Sequence, residues 1–334
     1  MEFSFNFTGT VDNKKNILMS EGEIYDTIVI GGGPAAITAL LYLARKGVKC
    51  GYIASRVGGA LLDTKGIENY PGIKETEGAE LTQKMREQIA QFEIPSAEGD
   101  SVVNIKIEEG LKVIECYSMS NYRAKTIIIA SGSRWKELGI PGENQFKTRG
   151  VAYCSSCDAP FFKGKNVVVA GGGNSGLEAA LELAVIAKSV TIFEYREEFS
   201  ADKILIDKAL KNKKIVLRSF YEIIEIMGNE KLEKIAVKNR KTQEIEELFT
   251  DGVFVEIGLL PNSDFAKNIV EINSKKEIVI DSRCRTNYEG IFAAGDVTNV
   301  PFKQIVIAAG EGAKAAMAAY EYLVHNCWEN CDFE

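Results

Sequence analysis

The segment Val151–Lys165, VAYCSSCDAPFFKGK, sets two thiols, Cys154 and Cys157, two residues apart and places a carboxyl group, Asp158, directly after them. Such a pair can be half a zinc site, a structural disulfide, or a dithiol that opens and closes during turnover. A structural zinc takes four ligands. The chain has no second CxxC, and its one histidine is His325, so a zinc site is not expected. What separates the two remaining uses is the surroundings of the pair.

Bulk properties narrow those surroundings. A chain of 334 residues is long enough for two domains, each with its own core. Its 46% hydrophobic and 26% charged content fit a globular protein, and a net charge of −7 argues against a nucleic-acid partner. No apolar run approaches the roughly 20 residues that span a bilayer. The start, MEFSFNFTGTVDNKKN, has neither the basic beginning nor the apolar stretch of a signal peptide. A cytoplasmic location is the resulting expectation. Stable disulfides are uncommon there, so a close cysteine pair is expected to be catalytic or metal-binding rather than structural.

The elements that must position the pair come from two repeated patterns. Tyr25–Ile30 reads as a buried strand, Gly31-Gly32-Gly33-Pro34-Ala35-Ala36 as a turn, Ala36–Arg45 as a helix and Val48–Ala54 as the next strand. The pattern recurs in Asn166–Ala170, Gly171-Gly172-Gly173-Asn174-Ser175-Gly176, Leu177–Ala187 and Ser189–Glu194. Each turn lets the backbone approach a pyrophosphate, which the unpaired N–H groups of the following helix then hold. Gly31 and Gly33, with Pro34 and Ala35, form one such cradle; Gly171, Gly173, Asn174, Ser175 and Gly176 form the other. Glu194 lies 23 residues after Gly171, near the roughly 20 expected for the acid that reads an NAD ribose. A third strand, Gly290–Val297, ends at Gly295-Asp296, where the carboxylate can meet a ribityl or ribose hydroxyl or simply cap the next turn.

With these pieces the chain resembles the low-molecular-weight thioredoxin reductases and is similar to the flavoprotein part of the alkyl hydroperoxide reductase F subunit. The matching blocks are GGGPAA, GGALLDTKGIENYPG, CSSCDAPFFKGK, GGGNSGLEAA, GLLPN and AAGDVTNVPFKQI, in the family's order, over about residues 22–325. The resemblance implies an α/β fold of two Rossmann-like domains. A discontinuous FAD domain would occupy residues 23–136 and 265–326, and an inserted NAD(P)H domain carrying the CxxC residues 137–264. Residues 1–22 would be an extension and 327–334 a tail. It implies FAD held at Gly31, Gly33, Pro34 and Ala35, with Gly58, Gly59 and Asn69 along it and Asp296 on its ribityl chain. Lys303, Gln304 and Ile305 would set a helix N-terminus beside the isoalloxazine. Three positions depart from the family pattern. Ala60 replaces a glutamine, Ala159 replaces a glycine, and no acidic residue stands near Ala54 for the FAD ribose.

The large disulfide reductases carry their cysteines just after the first glycine loop, whereas Ser55–Lys65 has none, so the placement matches the small architecture. Disulfide and nicotinamide then ride on one domain, which the resemblance implies swivels about connectors near Ser133–Gly142 and Pro261–Asp264. By resemblance Cys157 faces the flavin, Cys154 attacks the partner's disulfide, and Asp158 protonates the leaving thiolate, which requires burial to raise its pKa. In FEYREEFSADK, Glu194, Tyr195 and Ser200 stand where NADPH-using members carry basic residues, Arg196 remains, and Glu194, Glu197 and Glu198 would repel a 2′-phosphate, so NADH is expected over NADPH; a ferredoxin as donor is the other reading. The 22 leading residues are too few for a thioredoxin-like domain, so a separate thioredoxin- or glutaredoxin-like protein is the expected acceptor, one that could feed a peroxiredoxin downstream. A homodimer is implied by the resemblance.

Two competing functions share the cofactors. A flavin-dependent NADH oxidase or diaphorase needs no dithiol and survives serine at Cys154 and Cys157; a redox sensor binds NADH without turning over. The tail CWENC, Cys327 to Cys331, is open to two readings, a second redox shuttle or an exposed chain end. Cys50, Cys116 and Cys284 read as ordinary core thiols, and His325 is given no catalytic role.

Overall fold

The computed structural model describes residues 17–64 and 67–329. Ile24–Ile30 (β1) is apolar at most positions, the pattern of a strand covered on both faces. The hydroxyl of buried Thr27 is satisfied by Thr126 Oγ1 at 2.8 Å. The chain turns through three glycines into Pro34–Arg45 (α1), where proline at the first helical position lacks an N–H that would have no partner anyway. It returns as Cys50–Ala54 (β2), parallel to β1 with Thr27 opposite Cys50. Gly78–Ile89 (α2) leads to Ser96–Glu98 (β3), which pairs with β2. Val102–Glu108 (β4), Leu111–Cys116 (β5) and Asn121–Ile129 (β6) form an antiparallel meander whose last strand lies parallel to β1.

Next come Ser133–Trp135 (β7), Glu143–Phe146 (α3), Val151–Ala152 (β8) and the single helical turn Ser155–Asp158 (α4). Asn166–Ala170 (β9), Asn174–Ile186 (α5) and Ser189–Glu194 (β10) repeat the β1–α1–β2 arrangement. Lys203–Lys211 (α6) and Ile215–Ser219 (β11) follow. Tyr221–Gly228 (β12), Leu232–Asn239 (β13) and Ile245–Phe249 (β14) make an antiparallel sheet. Gly252–Val255 (β15) and Leu259–Pro261 (β16) precede the return through Ile291–Ala293 (β17) to Ile305–Glu329 (α7).

These elements form two compact units. The first comprises the described residues among 1–63, 78–132 and 261–334, and the second those among 64–77 and 133–260. The chain crosses after Gly132 and Leu260, four residues before each boundary read from sequence, and the segment 64–77 with Asn69 groups with the second unit. The first unit is built on a seven-stranded sheet in the order β3-β2-β1-β6-β5-β4, with β17 on β6. The nine-residue β6 serves two partners on one side: Asn121–Ala124 pairs with β5, and Ile127–Ile129 with β17. Its core gathers Tyr25, Ile28, Ile53, Ile114, Ile127 and Ile291. The second unit has a parallel sheet in the order β11-β10-β9-β15-β8. One face packs Leu177, Leu183, Val169 and Phe254, the other Val168, Phe193, Ile235 and Val253. Among the described residues no helix is long and apolar enough to cross a membrane.

Candidate active site

Parallel strands bring their carboxyl ends to one edge, and the loops leaving that edge are where α/β sheets bind ligands. In the second unit that edge carries the CxxC after β8, Glu256 after β15, the Gly171–Gly173 turn after β9, and Glu194 at the end of β10. Residues more than 100 apart in the chain thus share one rim.

Cys154 and Cys157 form a disulfide with Cα atoms 5.4 Å apart, and both are half-buried. The loop tightens into one helical turn, with the Asp158 N–H donating to the Cys154 carbonyl at 3.0 Å. That turn holds the half-buried Asp158 in register with the pair. Burial pushes its carboxyl up to about 6, because the ionised form loses hydration there. A carboxyl of that acidity can still carry a proton near neutral pH, as the acid role requires. Ser155 Oγ donates to Glu182 at 2.8 Å and Ser156 Oγ to the same carboxylate at 3.3 Å, tying the turn to α5. Among the described residues no group of three or more His, Cys, Asp or Glu side chains is arranged to hold a metal.

The two glycine turns have nearly the same backbone. Gly31 has φ +131° and Gly171 φ +120°, values L side chains rarely adopt. A Cβ on Gly31 would stand 2.1 Å from Ala130 O, and one on Gly171 2.4 Å from Glu256 O. Gly33 (φ −81°, ψ −175°) and Gly173 (φ −83°, ψ −176°) then cap their helices with no side-chain hydrogen bond. A Cβ on Gly33 would meet nothing within 4 Å. Helix N–H groups facing open space beside a glycine are what a pyrophosphate needs. Gly31→Ala is therefore expected to destabilise the protein by about 2–4 kcal/mol. Gly33→Ala should cost about 1 kcal/mol or less, yet lower the flavin-to-protein absorbance ratio. Thermal unfolding followed by circular dichroism, with the absorbance ratio of the purified protein, checks both.

Of the other residues expected on the first cofactor, Gly58, Gly59 and the Gly295–Asp296 turn lie against the same cradle. Gly58 N–H donates to Gly32 O at 2.7 Å, and a Cβ on Gly59 would lie 3.4 Å from Gly33 Cα. Gly295 comes so close to α1 that its Cβ would be 3.0 Å from Ala35 Cβ, which brings the neighbouring Asp296 to the start of that helix. Burial raises the Asp296 carboxyl, Lys303 partly offsetting it, and the carboxylate accepts no hydrogen bond from the described residues. Lys303 donates to Thr298 O at 2.5 Å and pairs with Glu277 at 3.2 Å. The Gln304 carbonyl accepts Ala308 N–H at 2.9 Å, so Gln304 and Ile305 open α7 as expected. A glycine cradle open toward solvent and the half-buried Asp296 carboxylate beside it fit a dinucleotide with a hydroxylated chain. At the level of Ala54 the neighbouring strand supplies Glu98, its register partner, whose carboxylate is held by Tyr52 Oη at 2.5 Å and Arg86 at 3.2 Å. Sequence reading missed Glu98 because the pairing of β2 with β3 is not written locally.

At the second cradle, buried Glu194 accepts Gly172 N–H at 2.6 Å and Arg196 N–H at 2.8 Å. The acid is thereby fixed at the strand end beside the turn. Asn174 exchanges two hydrogen bonds with Asp202, at 3.0 and 2.7 Å, exposed Ser175 follows it, and a Cβ on Gly176 would collide with Gly171 O at 1.9 Å. Arg240 is a further residue that sequence reading missed. Its guanidinium lies 3.5 Å from the Tyr195 ring centroid and donates to Tyr195 O at 2.8 Å. The three thiols read as core are buried, and burial raises each of them. His325 is exposed, its Nδ1 2.7 Å from Glu321 O. Cys331 lies outside the described residues.

Residues 25–312 match the family described as pyridine nucleotide-disulphide oxidoreductase. The alkyl hydroperoxide reductase F subunit of Pseudomonas putida is 44% identical over 308 residues, covering 90% of this chain and 59% of that protein. Its Escherichia coli K12 counterpart is 42% identical over 312 residues, covering 92% and 60%. The chain thus spans about 60% of the length of these curated relatives. The solved thioredoxin reductase from Streptococcus pyogenes matches with a TM-score of 0.86 at 37% identity, over 92% of this chain and 100% of that one. The enzyme from Giardia duodenalis matches with a TM-score of 0.84 at 29% identity, over 90% and 99%. Family and neighbours together imply FAD and a pyridine nucleotide as cofactors. The match runs through both glycine turns and the cysteine pair, and it makes this chain an enzyme of the pyridine nucleotide-disulphide oxidoreductase family.

Proposed function

We propose that the enzyme carries electrons from NADH to the disulfide of a separate thioredoxin- or glutaredoxin-like protein by way of Cys154 and Cys157. The observation that carries this reading is the shared rim of the second unit, where the disulfide, the second glycine turn and a carboxyl of raised pKa leave the same sheet edge. FAD, when bound in the first cradle, supplies two-electron transfer between the nucleotide and the cysteine pair. Once the pair is reduced, the Cys154 thiolate attacks one sulfur of the acceptor disulfide, forming a mixed disulfide and releasing the other sulfur as thiolate. Cys157 then displaces the acceptor, restoring the Cys154–Cys157 disulfide. Asp158 gives its proton to the departing thiolate. The net exchange is NADH, a proton and the acceptor disulfide going to NAD⁺ and the acceptor dithiol.

The choice of NADH rests on Glu194, whose carboxylate is anchored beside the second glycine turn, at the motif position of the acid that pairs with a ribose diol and would repel a 2′-phosphate. Like charges at that spacing repel, so kcat/KM for NADH should exceed that for NADPH by roughly tenfold or more. Steady-state rates with each nucleotide test this; equal or reversed preference overturns it. The acceptor is tested by replacing Cys157 with serine and trapping the mixed disulfide on Cys154. A thioredoxin-fold protein in that adduct supports the reading, and failure of every such protein to be reduced by NADH rejects it.

A further inference from the structure

Cys154 stands between two buried hydroxyl side chains, Tyr153 and Ser155, and each donates to a carboxylate from a different part of the second unit. Tyr153 Oη donates to Glu143 Oε1 at 2.8 Å. Ser155 Oγ donates to Glu182 Oε2 at 2.8 Å. Glu143 opens α3 and is itself buried; its Oε1 also accepts Leu138 N–H at 2.9 Å, and its Oε2 accepts Gly139 N–H at 2.7 Å. The Tyr153 ring further stacks with Trp135, their centroids 6.4 Å apart. Glu182 lies on α5 and also accepts Ser156 Oγ at 3.3 Å. Hydrogen bonds to carboxylates are among the stronger ones, and a buried one is costly to lose. The chain on either side of Cys154 is thus pinned to a separate helix, and the exchange of disulfides itself uses neither glutamate.

We propose that Glu143 and Glu182, acting through Tyr153 and Ser155, hold Cys154 from both sides at the spacing that closes onto Cys157 and thereby set the reduction potential of the pair. All four are positioning residues for the exchange. The inference rests on the reading of Cys154–Cys157 as a redox pair.

The physical link is effective concentration. A disulfide resists an external thiol better the more closely its two sulfurs are kept within bonding reach after it opens. These hydrogen bonds are present with the disulfide closed. Losing one lets Cys154 drift from Cys157 once the bond has broken, which favours the dithiol. The two holds share no partner, so their effects on the equilibrium constant should multiply.

The test equilibrates the holoenzyme, without air, with reduced and oxidised dithiothreitol in graded ratio. In that exchange the Cys154–Cys157 bond breaks and the ring disulfide of dithiothreitol forms. The electron pair and both thiol protons of the reagent pass to Cys154 and Cys157. Acid quenching, alkylation in denaturant and peptide mass spectrometry give the reduced fraction. Tyr153→Phe and Ser155→Ala should each raise the equilibrium constant for reduction about threefold, and the double variant about tenfold, a midpoint about 30 mV more oxidising. Glu182→Gln should move in the same direction as Ser155→Ala. The single variants carry the test by themselves if the double one does not fold. Variants that unfold at lower temperature yet keep the parent midpoint would mark these bonds as structural only and overturn the proposal. So would a more reducing midpoint, or a shift in just one of the two single variants. The equilibrium needs no nucleotide. If NADH never generates thiols at Cys154 and Cys157, the proposed function fails while the midpoint against dithiothreitol remains readable.

Discussion

Serine at Cys154 or Cys157 should lower NADH-driven reduction of a protein disulfide by roughly 10³-fold or more, while NADH-driven reduction of a dye such as ferricyanide persists. The two thiols act as one unit. Cys154 without Cys157 can form a mixed disulfide but cannot release the acceptor, and Cys157 without Cys154 has no partner with which to close the disulfide. The double variant should therefore lose no more than either single one, a non-additivity expected of groups that serve one step. Dye reduction draws on the glycine cradles of both units and needs no sulfur. The measurement is paired: insulin or thioredoxin disulfide reduction beside dye reduction for each variant. Loss of both activities would tie the cysteines to cofactor binding or folding. Dye reduction that survives in every variant, with no protein-disulfide reduction even in the wild type, would identify the enzyme as an oxidase or diaphorase.

Asp158→Asn is expected to lower kcat/KM for the protein disulfide by about 10²-fold, the usual scale of a positioned acid. The pH profile distinguishes that role from a structural one. With its carboxyl pushed up to about 6, Asp158 is protonated below that pH and loses its proton progressively above it. The wild-type rate should bend near pH 6, and the bend should vanish in the amide. Stability should move the other way. The folded carboxyl binds its proton more tightly than an unfolded one at the ordinary value of 3.8, so the buried charge opposes folding above about pH 6. That opposition fades as pH falls from 6 toward 3.8. Asp158→Asn should thus unfold at higher urea at pH 8, by about 1 kcal/mol once partial solvent screening is allowed for, and show little difference at about pH 4.5. An amide variant both slower and less stable at pH 8 would mark Asp158 as a turn cap only.

The parts of the site legible in the sequence are those whose physics is local. Gly31 and Gly171 must be glycine because their φ values and the carbonyls facing them exclude a Cβ, so the two cradles could be read from the string alone. The cysteine pair closes within a single helical turn, which also sets Asp158, and Glu194 follows its glycines at the distance the motif prescribes. Glu98, Arg240 and Glu256 were not legible. Each acquires its neighbours through pairing of distant segments: Glu98 through β2–β3, Arg240 through its stack on Tyr195, and Glu256 through β15 lying between β8 and β9. The pairing of β4, β5 and β6 into an antiparallel meander and of β12–β14 into a sheet also escaped, since register between strands is not written in any one of them.

The amino-acid sequence by itself determined that the chain has two glycine turns of the dinucleotide-binding pattern and a single CxxC with an acid beside it. These follow from residue types and short spacings, where backbone sterics and thiol chemistry act over a few bonds. Only the tertiary structure decided that β8 joins the parallel sheet beside β15, bringing the disulfide, Glu256 and the second glycine turn to one edge. It also decided that Asp158 loses enough water to keep a proton near neutral pH. Strand order and desolvation depend on segments far apart in sequence packing together, and no local run of residues encodes them.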